Sequence, residues 1–138
     1  MKRYLLDTGI ASDYINDRLD VRTTARELLA QGCRIGIPTV VLGELCAGIE
    51  LSQSAERNRI QLRHQLRRLA IWPFDKAAAE KFGELFAHLR RIGRPMQQID
   101  IQVAAIAMVL GNTTVVTKDS DLSAVPGLRV TNWAAERI

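Results

Sequence analysis

Arg3-Tyr4-Leu5-Leu6-Asp7 opens the chain as a short apolar run closed by an acid. Three consecutive apolar residues without a polar alternate read as a strand buried on both faces, as in a parallel sheet. Thr114-Val115-Val116-Thr117 repeats the arrangement near the other end. It is β-branched, and it leads into Lys118-Asp119-Ser120-Asp121. Arg34–Ile37, closed by Pro38, reads as a third strand. Ile71–Phe74 and Leu128–Thr131 are shorter candidates.

Helical patterns fill the intervals. Residues 8–16 form one. Asp20–Gln31 carries Val21, Ala25, Leu28 and Leu29 at helical spacing and stops at Gly32. Thr39 is placed to cap a helix over 40–50. Residues 54–70 set Ile60, Leu62, Leu66 and Leu69 among arginines, an amphipathic pattern. Residues 76–92 run to Gly93-Arg94-Pro95, and Ile99–Leu110 is apolar and alanine-rich up to Gly111. Strands that alternate with helices predict an α/β fold with a parallel sheet and helices on both faces. The 138 residues fit one domain, 1–138, with no repeat or linker. In such sheets ligands bind beyond the carboxyl ends of the strands, near the reversal of strand order. The residues just after each strand are therefore the ones to question.

Composition narrows the classes. Apolar residues make up 47% and charged residues 25%, as in ordinary globular proteins. No apolar run approaches the roughly 20 residues of a membrane span. Asp7 and Asp13 interrupt the N-terminus too early for a signal-peptide core, so a cytoplasmic protein is expected. Cys33 and Cys46 are too few for a disulfide framework or thiolate site, and read as reduced, partly buried thiols. The net charge of +4 is compatible with a nucleic-acid partner. The arginines cluster in 57–68 and 90–94.

Five acids stand out. Asp7 follows the first strand, where it can cap the next helix or bind a ligand. Glu44 lies in an otherwise apolar helix whose Gly43, Ala47 and Gly48 would permit close packing. Asp100 opens a helix too apolar to lie on the surface; the helix dipole favours it, but a buried carboxylate still needs a partner. Asp119 and Asp121 occupy a strand-to-helix loop, where paired acids are also common turn formers. Carboxylates brought together raise one another's pKa, and a hard divalent cation such as Mg²⁺ or Mn²⁺ removes that penalty. There is no His- or Cys-rich alternative to suggest zinc. Such a site suits phosphodiester hydrolysis.

The ordered set of motifs resembles PIN-domain nucleases, and more narrowly the VapC-type toxins of toxin–antitoxin pairs. The matching pieces are Leu6-Asp7-Thr8 with Ser12, Pro38-Thr39, Gly43-Glu44-Leu45 and Gly48. Then come Gly93-Arg94-Pro95, Asp100, Ala104-Ala105 and Ala107, Val116 to Leu122, Val125-Pro126-Gly127-Leu128, and Trp133. The resemblance implies a single PIN-like domain with a five-stranded parallel sheet. It implies an Mg²⁺- or Mn²⁺-dependent endoribonuclease that leaves 5′-phosphate ends, with transfer RNA a common target. It also implies a homodimer neutralised by a cognate VapB-type antitoxin. Asp7, Glu44, Asp100 and Asp119 would be the acidic set, with Asp121 a fifth acid. Asp7 and Asp100 would ligate metal directly, Asp119 would complete or water-bridge the shell, and Glu44 would ligate a second metal or orient water. Thr8, Ser12 and Thr117 could hold these groups by hydrogen bonds or serve packing. Arg91, Arg94 and Lys118 adjoin the acidic motifs and could meet RNA phosphates. The sequence departs from the family at Gly9, where Asn or Ser is frequent, and at Leu122, where an aromatic is usual. The last two acids are two apart rather than three, so Asp119 and Asp121 compete for one place.

Other phosphate-handling folds fit less well. Asp7-Thr8-Gly9 matches neither the paired acids of a receiver domain nor the Asp-x-Asp of a dehalogenase-like phosphatase, and no P-loop is present. A non-catalytic module of the same fold, using the acids structurally, is the remaining alternative.

Overall fold

A computed structural model describes residues 1–134; residues 135–138 of the expected domain lie outside the described residues. Five strands form one parallel sheet: β1 (Arg3–Leu6), β2 (Arg34–Pro38), β3 (Ala70–Trp72), β4 (Thr113–Val116) and β5 (Arg129–Thr131), in the order β3-β2-β1-β4-β5. The helices are α1 (Thr8–Ile15), α2 (Val21–Ala30), α3 (Thr39–Glu50), α4 (Ala55–Leu66), α5 (Lys76–Arg91) and α6 (Gln98–Leu110), with a short 3-10 helix at Ser120–Ala124. The expected architecture is borne out, with β3, β4 and β5 shifted by about a residue from their sequence assignments.

The centre of the sheet explains the apolar runs. Leu5, Leu6, Val115 and Val116 are fully buried, and β1 pairs with β4 from Arg3 opposite Thr113 to Leu6 opposite Val116. Chain direction across the sheet changes there. From β1 the chain steps to β2 and β3 on one side, then returns to β4 and β5 on the other. Right-handed crossovers carry helices for opposite steps on opposite faces. In keeping with this, α1 packs on α2, α3 and α4, while α5 packs along α6. Helix α6 is the most buried helix, with Ile101 and the run Val103–Ala107 in the core. Arg3 secures the end of α6 by donating to the Leu110 and Gly111 carbonyls.

Three local expectations change. Thr39 does not cap α3. Pro38 precedes the helix, and the Thr39 hydroxyl instead accepts the Phe74 backbone N–H at 3.2 Å, tying α3 to the end of β3. The small residues of α3 do not lie against another element: Gly43, Cys46, Ala47 and Gly48 are exposed, and a Cβ on Gly43 or Gly48 would touch nothing. Cys46 is accordingly an exposed thiol, while Cys33 is half-buried.

Gly36 is the glycine whose missing side chain the sheet requires. It sits opposite Ala70 in the β2–β3 pair, and an added Cβ would lie 2.9 Å from both the Ala70 carbonyl carbon and its Cβ and collide with the carbonyl oxygen. Backbone cannot move aside as a flexible side chain can. Gly36→Ala is therefore expected to destabilise the protein by about 3 kcal/mol. Urea unfolding checks this; a midpoint equal to the wild type's would contradict it.

Candidate active site

Asp7 ends β1 and caps α1, and it does more than cap. Its Oδ1 accepts the Ile10 N–H at 3.1 Å, while Oδ2 accepts the Thr117 hydroxyl from the end of β4. A carboxylate has about four acceptor positions, so two remain after both bonds. Cap and ligand, alternatives from sequence, are thus compatible roles of separate lone pairs. Thr117 is itself buried, and its Oγ1 also accepts the Asp119 N–H at 3.0 Å. Asp119 Oδ1 in turn accepts the Asp121 N–H at 2.9 Å and caps the 3-10 helix. The turn-forming role expected for this acid pair is real.

Glu44 projects from the exposed side of α3, and its Oε1 accepts the Thr8 hydroxyl. Asp100 occupies the first turn of α6, behind Gln97, and is half-buried. Helices α3 and α6 meet, which brings these two acids to the edge where β1 and β4 end. Beside Thr8 and Glu44 a groove of about 450 Å³ opens between α1, α3 and α4, with Ser12 on its wall. Ser12 bonds Asn16 rather than an acid. Arg91 and Arg94 are exposed on the α5–α6 turn. Among the described residues they form no ion pair with the acids.

Two of the acids have raised carboxyls, and neighbouring acids are among the causes. Burial raises the Asp7 carboxyl above its ordinary pKa. The Thr117 and Ile10 hydrogen bonds and the Lys118 charge pull it partly back, and Asp119 pushes it up. Asp100 is also raised, first by burial, then by the charges of Asp119, Asp7, Glu44 and Asp121. Asp119 is thus among the causes at both half-buried acids, and Asp121 is the last-ranked cause at Asp100. Among the described residues, no three acidic, His or Cys side chains close around one metal-sized point. Like charges that share one edge repel, and a divalent cation would relieve that repulsion. Oxygen-only donors fit Mg²⁺ or Mn²⁺ better than softer metals.

Residues 4–128 match the family model for the PIN domain. The chain belongs to the PIN-domain family. Within it the similarity is to VapC proteins along almost the whole length. The chain is 32% identical to Ribonuclease VapC2 of Rickettsia felis over 94% of its length and 97% of that protein's. It is 33% identical to the tRNA(fMet)-specific endonuclease VapC of Shigella flexneri over 97% and 100%. Among solved structures, VapBC2 from Rickettsia felis bound to a promoter DNA fragment matches with a TM-score of 0.87 at 32% identity, covering 95% of this chain and 98% of that one. This PIN domain is of the VapC type.

Sequence reasoning missed one buried acid. Asp13 lies in α1 at 4% exposure and receives a hydrogen bond from Lys118 Nζ at 2.9 Å. The signal was its spacing: Asp13 is three residues from buried Ile10, so it shares the helix's inner face.

The raised carboxyls carry a stability consequence. A group whose pKa is higher in the folded state stabilises the fold while protonated, below its ordinary value. It loses that contribution as pH rises through the raised value. The metal-free protein is therefore expected to gain a contribution from Asp7 and Asp100 on acidification through the carboxylate range. Asp100→Asn, which removes the charge, should melt at a higher temperature than the wild type in EDTA at pH 7. Thermal unfolding of the two proteins decides; a lower melting temperature for the variant would contradict the charge-crowding account.

Proposed function

We propose that this VapC-type chain is an Mg²⁺- or Mn²⁺-dependent endoribonuclease whose acidic edge is formed by Asp7, Glu44, Asp100 and Asp119. It is a ribonuclease toxin, and a VapB-type antitoxin neutralises it. The observation that supports the site assignment is the bonding at the strand ends where the strand order reverses: Thr117 joins Asp7 to the Asp119 backbone, and Thr8 bonds Glu44. The raised Asp100 carboxyl, with Asp119, Asp7, Glu44 and Asp121 among its causes, agrees with it.

Asp7 and Asp100 would hold the cation, and Asp119 would complete the set directly or through water. A bound divalent cation would lower the pKa of water and stabilise charge on the scissile phosphate. Thr117 and the Ile10 N–H fix the Asp7 carboxylate, so its free lone pairs keep one orientation. Thr8 does the same for Glu44, which is placed to take a proton from, or orient, an attacking water. Asp119 is favoured over Asp121 because its charge reaches both Asp7 and Asp100. Arg91, Arg94 and Lys118 would contact RNA phosphates around this edge. Transfer RNA is the substrate class we favour, since the relative from Shigella flexneri is named for tRNA(fMet).

No helix of the described residues is long and apolar enough to cross a membrane, and a cytoplasmic site of action accompanies an RNA substrate. The uncovered small residues of α3, with Leu51 at its end 89% exposed, offer a surface that a second copy would bury. A homodimer is part of the proposal on that ground.

The test is cleavage of a transfer RNA pool with Mn²⁺ or Mg²⁺, read as new 5′-phosphate ends, together with calorimetric Mn²⁺ binding. Wild-type cleavage is expected to vanish in EDTA. Asp100→Asn should weaken Mn²⁺ binding and lower cleavage at least about a hundredfold. Metal-independent cleavage by a folded Asp100→Asn protein would sink the reading, whereas loss of cleavage with unchanged Mn²⁺ affinity would remove Asp100 from the ligand set.

A further inference from the structure

Lys118 stands between Thr117, which bonds Asp7, and Asp119, so its backbone belongs to the acidic edge. Its side chain is partly exposed but held against the protein. It crosses the start of α1 directly over Gly9, where an added Cβ would lie 3.3 Å from Lys118 Cε and 3.8 Å from Nζ. That same point is 3.9 Å from Asp7 Oδ1. The ammonium and the Asp7 carboxylate thus flank one small space that exists because residue 9 has no side chain.

The lysine is held there from below. Asp13 Oδ2 accepts from Nζ at 2.9 Å, and the two side chains differ sharply in exposure: 6% for Asp13 and 45% for Lys118. A lysine paired to a buried acid commonly keeps its charged head in water, which leaves the ammonium open to an anion. Here the acid is sunk in the core, where an unpaired carboxylate would be costly, and the cation keeps a face toward solvent. An ammonium has three donors, and Asp13 takes one. A helix N-terminus is also a poor place for a positive charge, because the macrodipole opposes it. Asp13 and Asp7 both gain from a cation fixed there, and the donors Asp13 does not take face the edge where an anionic ligand would lie.

We propose that Asp13 is a positioning residue that aims the Lys118 ammonium at an RNA phosphate lying beside the Asp7 carboxylate. The inference rests on the reading of the acidic edge as the ribonuclease site. Its chemistry is simple: a strand drawn to a cluster of carboxylates is repelled by them, and one anchored cation offsets that repulsion at a defined atom. Asp13 fixes where the charge sits; Gly9 leaves it room. Arg91 and Arg94 are free to act as diffuse positive field, but Lys118 is fixed.

The test uses fluorescence anisotropy of a transfer RNA with Ca²⁺ in place of the catalytic ion, across a salt series, and KM and kcat with Mn²⁺. Lys118→Met should weaken binding about tenfold at low salt and reduce the slope of log affinity against log salt by about 0.7, the loss of one phosphate contact. Lys118→Arg should restore the slope. Asp13→Asn gives the sharper result. It removes a negative charge, so a diffuse field alone would tighten RNA binding; a positioning role weakens it and raises KM. Where burial of a lone charge prevents folding, the double variant Asp13→Asn/Lys118→Met leaves neither charge unpaired and should bind as weakly as Lys118→Met. Wild-type affinity and slope in Lys118→Met or in the double variant would overturn the inference, as would tighter binding by Asp13→Asn. Metal-dependent cleavage that survives alongside such a result leaves the proposed function standing. Failure of that function would show instead as metal-independent cleavage by Asp100→Asn.

Discussion

The parallel pairing of β1 with β4 is the constraint on which the rest of the molecule depends. It joins residues more than a hundred positions apart and sets Leu6 against Val116, so the residues that follow each strand emerge together. Because the crossovers leave this pair in opposite directions, no helix closes over the strand ends between them. Asp7 and Thr117 meet at that opening, and the hydroxyl–carboxylate bond between them fixes the first acid against the last loop. Glu44 and Asp100 arrive from either side on α3 and α6. The acidic edge is thus a property of strand order before it is a property of any single side chain.

The fold tolerates at this edge an electrostatic arrangement it would reject elsewhere. Two acids are raised by burial and by their neighbours, which means that their charged forms are disfavoured in the folded chain. The hydrogen bonds from Thr117 and Ile10 soften the conflict at Asp7. Asp100 has the dipole of α6 behind it, worth about 0.3–1 kcal/mol at such positions. The remaining strain is of the kind that functional sites retain.

Much of this was legible in the chain. An acid directly after an apolar run marks the carboxyl end of a buried strand, as Asp7 does, and Asp119 lies three residues beyond the end of β4. Asp100 could be placed because α6 has no polar face on which to lie at the surface. What escaped depended on relations between elements. The apolar residues of α3 suggested burial, but composition does not say which side faces the core, and only Val41 is buried there. Thr39 had the identity of a cap, yet its hydroxyl answers a backbone N–H 35 residues away. Asp13 carried a spacing signal that its charge concealed. Its partner Lys118 is 105 residues distant, and nothing local announces the pair.

The dispersal of the acids along the chain has a consequence for how the protein is made. During synthesis β1, β2 and β3 can pair as soon as they emerge, because they are neighbours in both sequence and sheet. The other flank of β1 stays bare until residues 113–116 leave the ribosome, and Asp7 lacks its Thr117 partner until then. Asp100 emerges shortly before those residues and Asp119 shortly after them. A nascent chain therefore carries a partial sheet and an incomplete acidic edge until residues 113–119 emerge. The edge assembles only when its far strand arrives.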